Sequence, residues 1–362
     1  MKSSNKIGIG QLCCLFFVSR ILALFMFILP ENERMAKGDR PWLFLPFLLF
    51  GLLAAAPALL LTKNGQRSVF DLTDAFSPRL TSFCGVLLAI GAVWSAAMGA
   101  ARLGLFTGSV LLNGAPLLMP LLALGISAVI IAGKGLQTIG RVGGLLAALL
   151  ASSLLFVLLT TAGRLDPANL DPPLTDGLFP FLLHGFRAVA RTPELGALLV
   201  LGDKISGSQK KAVPLWLAGF GLTASCLFFV TTGVTGEYGE RQMFQFYTLT
   251  MLSKVGVMER MDNLIAAVWV MSALLRTAFF LWIAWECLSR AFGRKLGFGI
   301  RAALAIPVLC VSLLLSESVT DLSGLLASGG NEALFAGLVI FLPTGLLIAE
   351  RIGKSHLKRG ST

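Results

Sequence analysis

The 362-residue chain is 56% hydrophobic and only 14% charged, with a formal charge of +11 at pH 7, a balance outside the range of soluble globular proteins. A mean hydropathy of +0.81, with 26 Phe and 39 Gly distributed over the whole length, excludes both a soluble enzyme with a single anchor and a secreted disulfide scaffold. A helix in lipid must satisfy its own backbone hydrogen bonds and needs about 20 residues to cross. Apolar runs separated by charged or turn-rich gaps predict ten spans: 9–30, 41–62, 80–106, 111–133, 142–162, 179–201, 212–233, 264–288, 298–316 and 333–349. The gaps are short, so the chain reads as one membrane domain of all-α class.

The first span is too long for the apolar region of a signal peptide. It carries Arg20 and ends in Leu29-Pro30 without a small-residue cleavage site, so it is expected to be retained. Ser19-Arg20 is a polar interruption at mid-depth. Span three offers Trp94, Ser95 and Gly99 as small or polar wall residues. In the loop before span six, Asp166, Asp171 and Asp176 alternate with Pro167, Pro172 and Pro173, which makes a stiff solvated turn rather than a metal site.

Span six is the most informative. Besides His184 it contains Arg187, Arg191, Thr192-Pro193 and Glu194, charges that a continuous lipid-facing helix does not carry. Proline removes a backbone donor and turns the preceding residue away from helix, while Thr, Pro and an acid in sequence are start signals. The span is therefore expected to break, with a half-helix starting near Thr192 whose exposed N–H groups form a seat for a carboxylate. A kink healed by neighbouring helices is the alternative. If the ten spans form two sets of five, span one is the counterpart of span six, and Arg20 either binds a substrate carboxylate or pairs with Glu194.

After span seven, the segment 237–263 mixes aromatic and charged residues and either lies in the interface or forms a folded loop. In span eight, Ser272 and Arg276 are one turn apart and share a face. Glu286 reads as a wetted side chain near the headgroups. The six cysteines have no metal-ligand spacing and read as buried thiols. With the N-terminus inside, the inner segments hold more than twice as many Lys and Arg as the outer ones, which places both ends in the cytoplasm. The net charge follows from that topology and is no argument for nucleic acid.

Several segments resemble one family, the spore germination permeases, the membrane-embedded B subunits of nutrient germinant receptors. They are Leu29-Pro30 followed by Gly38-Asp39-Arg40-Pro41-Trp42, Gly135-Leu136 through Arg141, Asp166-Pro167-Ala168-Asn169-Leu170, and Met258-Glu259-Arg260-Met261-Asp262-Asn263-Leu264 leading to Val268-Trp269. The resemblance implies the amino acid/polyamine/organocation transporter superfamily, with a five-plus-five inverted repeat (9–162 and 179–350) and discontinuous helices one and six. It also implies a nutrient, often an amino acid, bound among spans one, three, six and eight, A-type and C-type partner subunits, and residence in the spore inner membrane. Glu194 matches the family's acid in the sixth span. One departure is that no glycine lies between Gly10 and Gly38, where the family often places glycines in the first helix.

The expected ligand-binding residues are Ser19, Arg20, Trp94, Ser95, Arg191, Thr192, Glu194, Ser272 and Arg276. No catalytic residue, metal or cofactor is expected. His184 and His356 are the only histidines, and Gly353-Lys354-Ser355 lacks the first glycine of a nucleotide-binding loop because Ile348 stands there. A working amino acid transporter is the competing function, since fold does not fix function.

Overall fold

A computed structural model describes residues 6–25, 35–63, 65–112, 116–253 and 262–359. The chain is almost wholly helical. Helices α1 (Ile9–Phe25), α2 (Phe44–Leu61), α3 (Val69–Phe76), α4 (Pro78–Phe106), α5 (Leu118–Lys134) and α6 (Leu136–Thr161) form the first part. Helices α7 (Leu178–Ala190), α8 (Pro193–Leu201), α9 (Gln209–Glu240), α10 (Gln245–Leu252) and α11 (Asp262–Ala291) follow. The last five are α12 (Phe298–Ala303), α13 (Ala305–Ser316), α14 (Val319–Ala327), α15 (Gly329–Ala336) and α16 (Leu342–Arg359). Among the described residues two short strands, β1 (Ile7–Gly8) and β2 (Ile205–Ser206), pair in parallel.

Among the described residues, seven helices are long and apolar enough to cross a membrane: Phe44–Leu61, Pro78–Leu111, Leu136–Arg164, Gln209–Gly239, Ile265–Ala291, Phe298–Ser316 and Gly329–Ile352. Three shorter apolar helices, Ile9–Leu24, Leu118–Lys134 and Leu178–Ala190, stand where spans one, four and six are expected. Exposed leucines recur along one face of α2 (Leu45, Leu49, Leu53, Leu60) and of α6 (Leu145, Leu149, Leu159). Such apolar stripes are the surface a bilayer covers.

The centre of the molecule is the pair α4 and α11, which pack along one another. Glycine and alanine make this possible. A side chain at Gly85 would stand 2.8 Å from the Ala291 Cβ, and one at Gly99 would meet the Arg276 side chain at 3.1 Å. Small residues let helix backbones approach where lipid provides no hydrophobic drive.

Three expectations change. Helix α1 runs unbroken through Ser19-Arg20, because that stretch has no Gly or Pro to interrupt its hydrogen-bond ladder; the expected discontinuity of helix one is absent there, and residues 26–34 lie outside those described. Cys226 and Cys310 are exposed on the outer faces of α9 and α13 rather than buried, although Cys84 and Cys287 are buried. Glu286 is not a solvated side chain but pairs with Lys204 at 3.0 Å and with Arg290 at 3.6 Å.

The segment after span seven folds inward. Helix α10 buries Phe246, Tyr247 and Leu249, and the Phe106 ring meets Phe244 and Tyr247 edge-on at 5.3 Å in both cases. Tyr247 donates to buried Asp262 at 3.0 Å. Residues 254–261, including most of the Met258–Leu264 motif, lie outside those described.

The other sequence motifs act as clips. Asp39, almost fully buried, accepts from the Leu174 amide and so ties the start of α2 to the proline-rich loop. Asn169 donates to the Gly233 carbonyl at 3.0 Å, and the Asp166 amide donates to the same oxygen at 2.9 Å. Beside them α9 bends at Gly236, whose φ of +50 suits glycine. A Cβ there would lie 2.6 Å from the Asn169 Oδ1. Gly236→Ala is therefore expected to cost about 1–3 kcal/mol of stability, measured by thermal unfolding of the purified protein; an unchanged melting curve contradicts the clip.

Candidate functional site

The break in span six is built as its residues dictate. Helix α7 ends at Ala190, and Thr192, kept out of the helical conformation (φ −112, ψ 82) by the following proline, starts α8 with Pro193 at its first position. A broken helix leaves carbonyls of partial negative charge at one end and amides of partial positive charge at the other. The carbonyl end is met from within the protein, and an acid stands in the first turn at the amide end, where Thr192 makes no side-chain cap.

Arg20, on unbroken α1, donates to the carbonyls of Arg191 at 3.0 Å and Ala188 at 3.1 Å, while the Thr192 hydroxyl donates to Ala188 at 2.7 Å. Glu194, in the first turn of α8, is completely buried. It accepts from the Ser19 hydroxyl at 2.6 Å and is ion-paired with Arg276 of α11. Arg276 also donates to the Ser19 carbonyl at 2.7 Å and to its hydroxyl at 2.9 Å. The guanidiniums of Arg276 and Arg20 lie over Phe280 and Phe220, at 4.9 and 5.7 Å from the ring centres.

A cavity of about 160 Å³ lies beside this junction. One water needs about 10–15 Å³, so the space admits a small organic molecule. Arg20, Arg191 and Pro193 line it at the break, Ser95 and Met98 from α4, Arg276 from α11 and Phe220 from α9. Arg187 and Arg191 both pair with Glu332 of α15, the former at 3.6 Å.

Of the nine expected site residues, the structure places Arg20, Ser95, Arg191 and Arg276 on the cavity wall. Ser19, Thr192 and Glu194 stand behind it, fully buried. Trp94 reaches the cavity only through Asn331, a lining residue that accepts from its indole at 2.9 Å. The Ser272 hydroxyl is spent on the Val268 carbonyl of its own helix at 2.8 Å. Sequence reasoning missed Arg102, Arg40, Asn331 and Glu332. A signal existed for Arg102, since Ser95, Met98 and Arg102 repeat at the spacing of one helix face within an apolar run.

A profile described as "Spore germination protein" (Spore_permease) matches residues 9–320. Among solved structures, the chain is similar to a Na+-coupled sialic acid symporter in a substrate-bound outward-open state, with a TM-score of 0.54 at 12% identity. That alignment covers 91% of this chain and 78% of the symporter, and it shows a shared transporter fold. No curated protein matches the sequence.

Proposed function

The chain belongs to the spore germination protein family, and from that premise we propose that it is the membrane-embedded nutrient-sensing subunit of a germinant receptor. It binds a small ligand beside the break of span six and passes the change to A-type and C-type partner subunits. The family is one of permeases, not of enzymes. In this reading the protein resides in the spore inner membrane with both termini cytoplasmic, and its spans form two related sets, 9–162 and 179–350.

The observation that carries the reading is the junction itself. Side chains from α1, α4, α8 and α11 converge on a broken helix next to a cavity large enough for a small molecule. A sensor requires two conformations with different ligand affinity, and a discontinuous helix held by exchangeable hydrogen bonds provides an element with two arrangements. Transport of an amino acid by alternating access is the second reading, favoured by the fold shared with the symporter.

The test is thermal unfolding of the detergent-purified protein against a panel of amino acids, sugars and organic acids. A ligand at a hundred times its Kd is expected to stabilise the folded state by about 2.7 kcal/mol. A panel without any stabilising member removes the binding reading. Ligand uptake into proteoliposomes separates transport from sensing.

A further inference from the structure

We propose that the end of the bundle carrying Ile7 holds a site for one anionic phospholipid headgroup, formed by Arg301 and Lys134 where α5, α11 and α12 meet. Contacts fix which end this is. The Ile7 amide donates to the Lys204 carbonyl at 2.9 Å, Lys204 pairs with Glu286, and Trp285 stands next to Glu286 on α11. Arg301 lies over the Trp285 ring, its guanidinium carbon 4.1 Å from the ring centre. The ring is itself fixed, because its indole donates to the Leu296 carbonyl at 3.1 Å. The guanidinium also abuts the end of α5, where a Cβ at Gly133 would stand 3.0 Å from Arg301 Nη1. Stacking of this kind orients a cation and leaves its charge unneutralised.

Other cations at the same end are matched by acids. Arg67 pairs with Glu350 at 2.6 Å, Lys204 with Glu286 at 3.0 Å, and Arg290 with Glu286 and Asp203 at 3.6 and 3.7 Å. Half-buried Arg301 and exposed Lys134, Arg294 and Lys295 meet no carboxylate among the described residues, and the Arg301 Nε is buried without an acceptor. Residues 1–5 and 353–362 contain no Asp or Glu. The acids whose side chains are not described, Glu31, Glu33, Glu240 and Glu259, follow α1, close α9 and precede α11. Those are the helix ends opposite to Ile9, Gln209 and Ala291, about 25 Å or more away by helix rise.

The surroundings suit a lipid. Phe292 and Phe298 are exposed on either side of Arg294 and Lys295, and Ile126 and Ile130 lead at one-turn intervals along the exposed face of α5 to Lys134. A phosphodiester with acyl chains meets both halves of this surface: its oxygens face the guanidinium edge and the ammonium group, and its chains lie along the isoleucines. A free phosphate leaves the apolar half uncovered. A zwitterionic lipid brings its own cation among four others.

The experiment adds phosphatidylglycerol, phosphatidylcholine or glycerol 3-phosphate to the full-length detergent-purified protein, and reads retained lipid by native mass spectrometry and stability by melting temperature. Phosphatidylglycerol is expected to bind about tenfold tighter than phosphatidylcholine and to raise the melting temperature more. Arg301→Gln is expected to abolish most of that preference. Trp285→Leu, which keeps every charge, is expected to reduce it about threefold, and it decides the matter if Arg301→Gln misfolds. Arg290→Gln breaks ion pairs at the same end and is expected to leave the preference unchanged. Equal binding of the two lipids overturns the site. So does a preference that Arg290→Gln lowers as far as Arg301→Gln, which reports net charge alone, or one that neither Arg301→Gln nor Trp285→Leu moves, which leaves Arg301 a packing role. Glycerol 3-phosphate binding as tightly as phosphatidylglycerol overturns the lipid as its occupant.

Discussion

Arg276→Met is expected to lower stability by about 3–5 kcal/mol, while Arg276→Met combined with Glu194→Leu recovers most of the loss. The single change strands a carboxylate that is completely buried and whose second oxygen, Glu194 Oε2, has no hydrogen-bond partner among the described residues. Removing both charges leaves the Ser19 hydroxyl and carbonyl short of a partner, at about 1 kcal/mol each. Equilibrium unfolding of the single and double variants forms a double-mutant cycle whose coupling energy reads the pair directly. A coupling below about 0.5 kcal/mol contradicts the ion pair as described. The same cycle tells whether the pair is needed for ligand response, because a stable double variant that still binds ligand places the charges in packing alone.

The second large effect concerns Arg20→Ala, which is expected to cost about 3 kcal/mol. Two carbonyls at the end of α7 lose charge-assisted donors in a part-buried position beside the cavity. Thr192 still donates to Ala188, so the Arg191 carbonyl bears the larger share of the loss. Arg20→Lys is expected to recover only part of the stability, since one ammonium cannot reach both carbonyls with the geometry of a planar fork. Melting temperatures of the two variants in the absence of ligand check this, and equal values for lysine and arginine contradict it.

The sequence made the break in span six legible because Thr192-Pro193-Glu194 is a chemical start signal independent of tertiary context. It also brought Arg20, Glu194 and Arg276 forward, since charge within an apolar run is rare enough to stand out. Their pairing was not legible. Arg20 was expected to bind a substrate carboxylate or pair with Glu194; its donors go to the carbonyls of α7, and Arg276, 82 positions from Glu194, makes the direct ion pair with the acid. Such long-range choices depend on how α1, α8 and α11 pack, which local pattern does not encode. Arg102 and Glu332 each sit near the end of an apolar run, where depth cannot be read from hydropathy, so neither stands out in the sequence. Symmetry reasoning failed at helix one, because the corresponding position in span six owes its break to proline and Ser19-Arg20 has none.

The short strand pair has a mechanical consequence. Ile7 and Gly8, just before α1, are hydrogen-bonded alongside Ile205 and Ser206, just after α8, and the Ile7 amide also reaches the Lys204 carbonyl at 2.9 Å. The far end of α8 is thus moored to the root of α1, some 13 Å from the proline end by helix rise. A displacement at the proline end is therefore expected to pivot α8 about this mooring, which keeps the roots of α8 and α1 together.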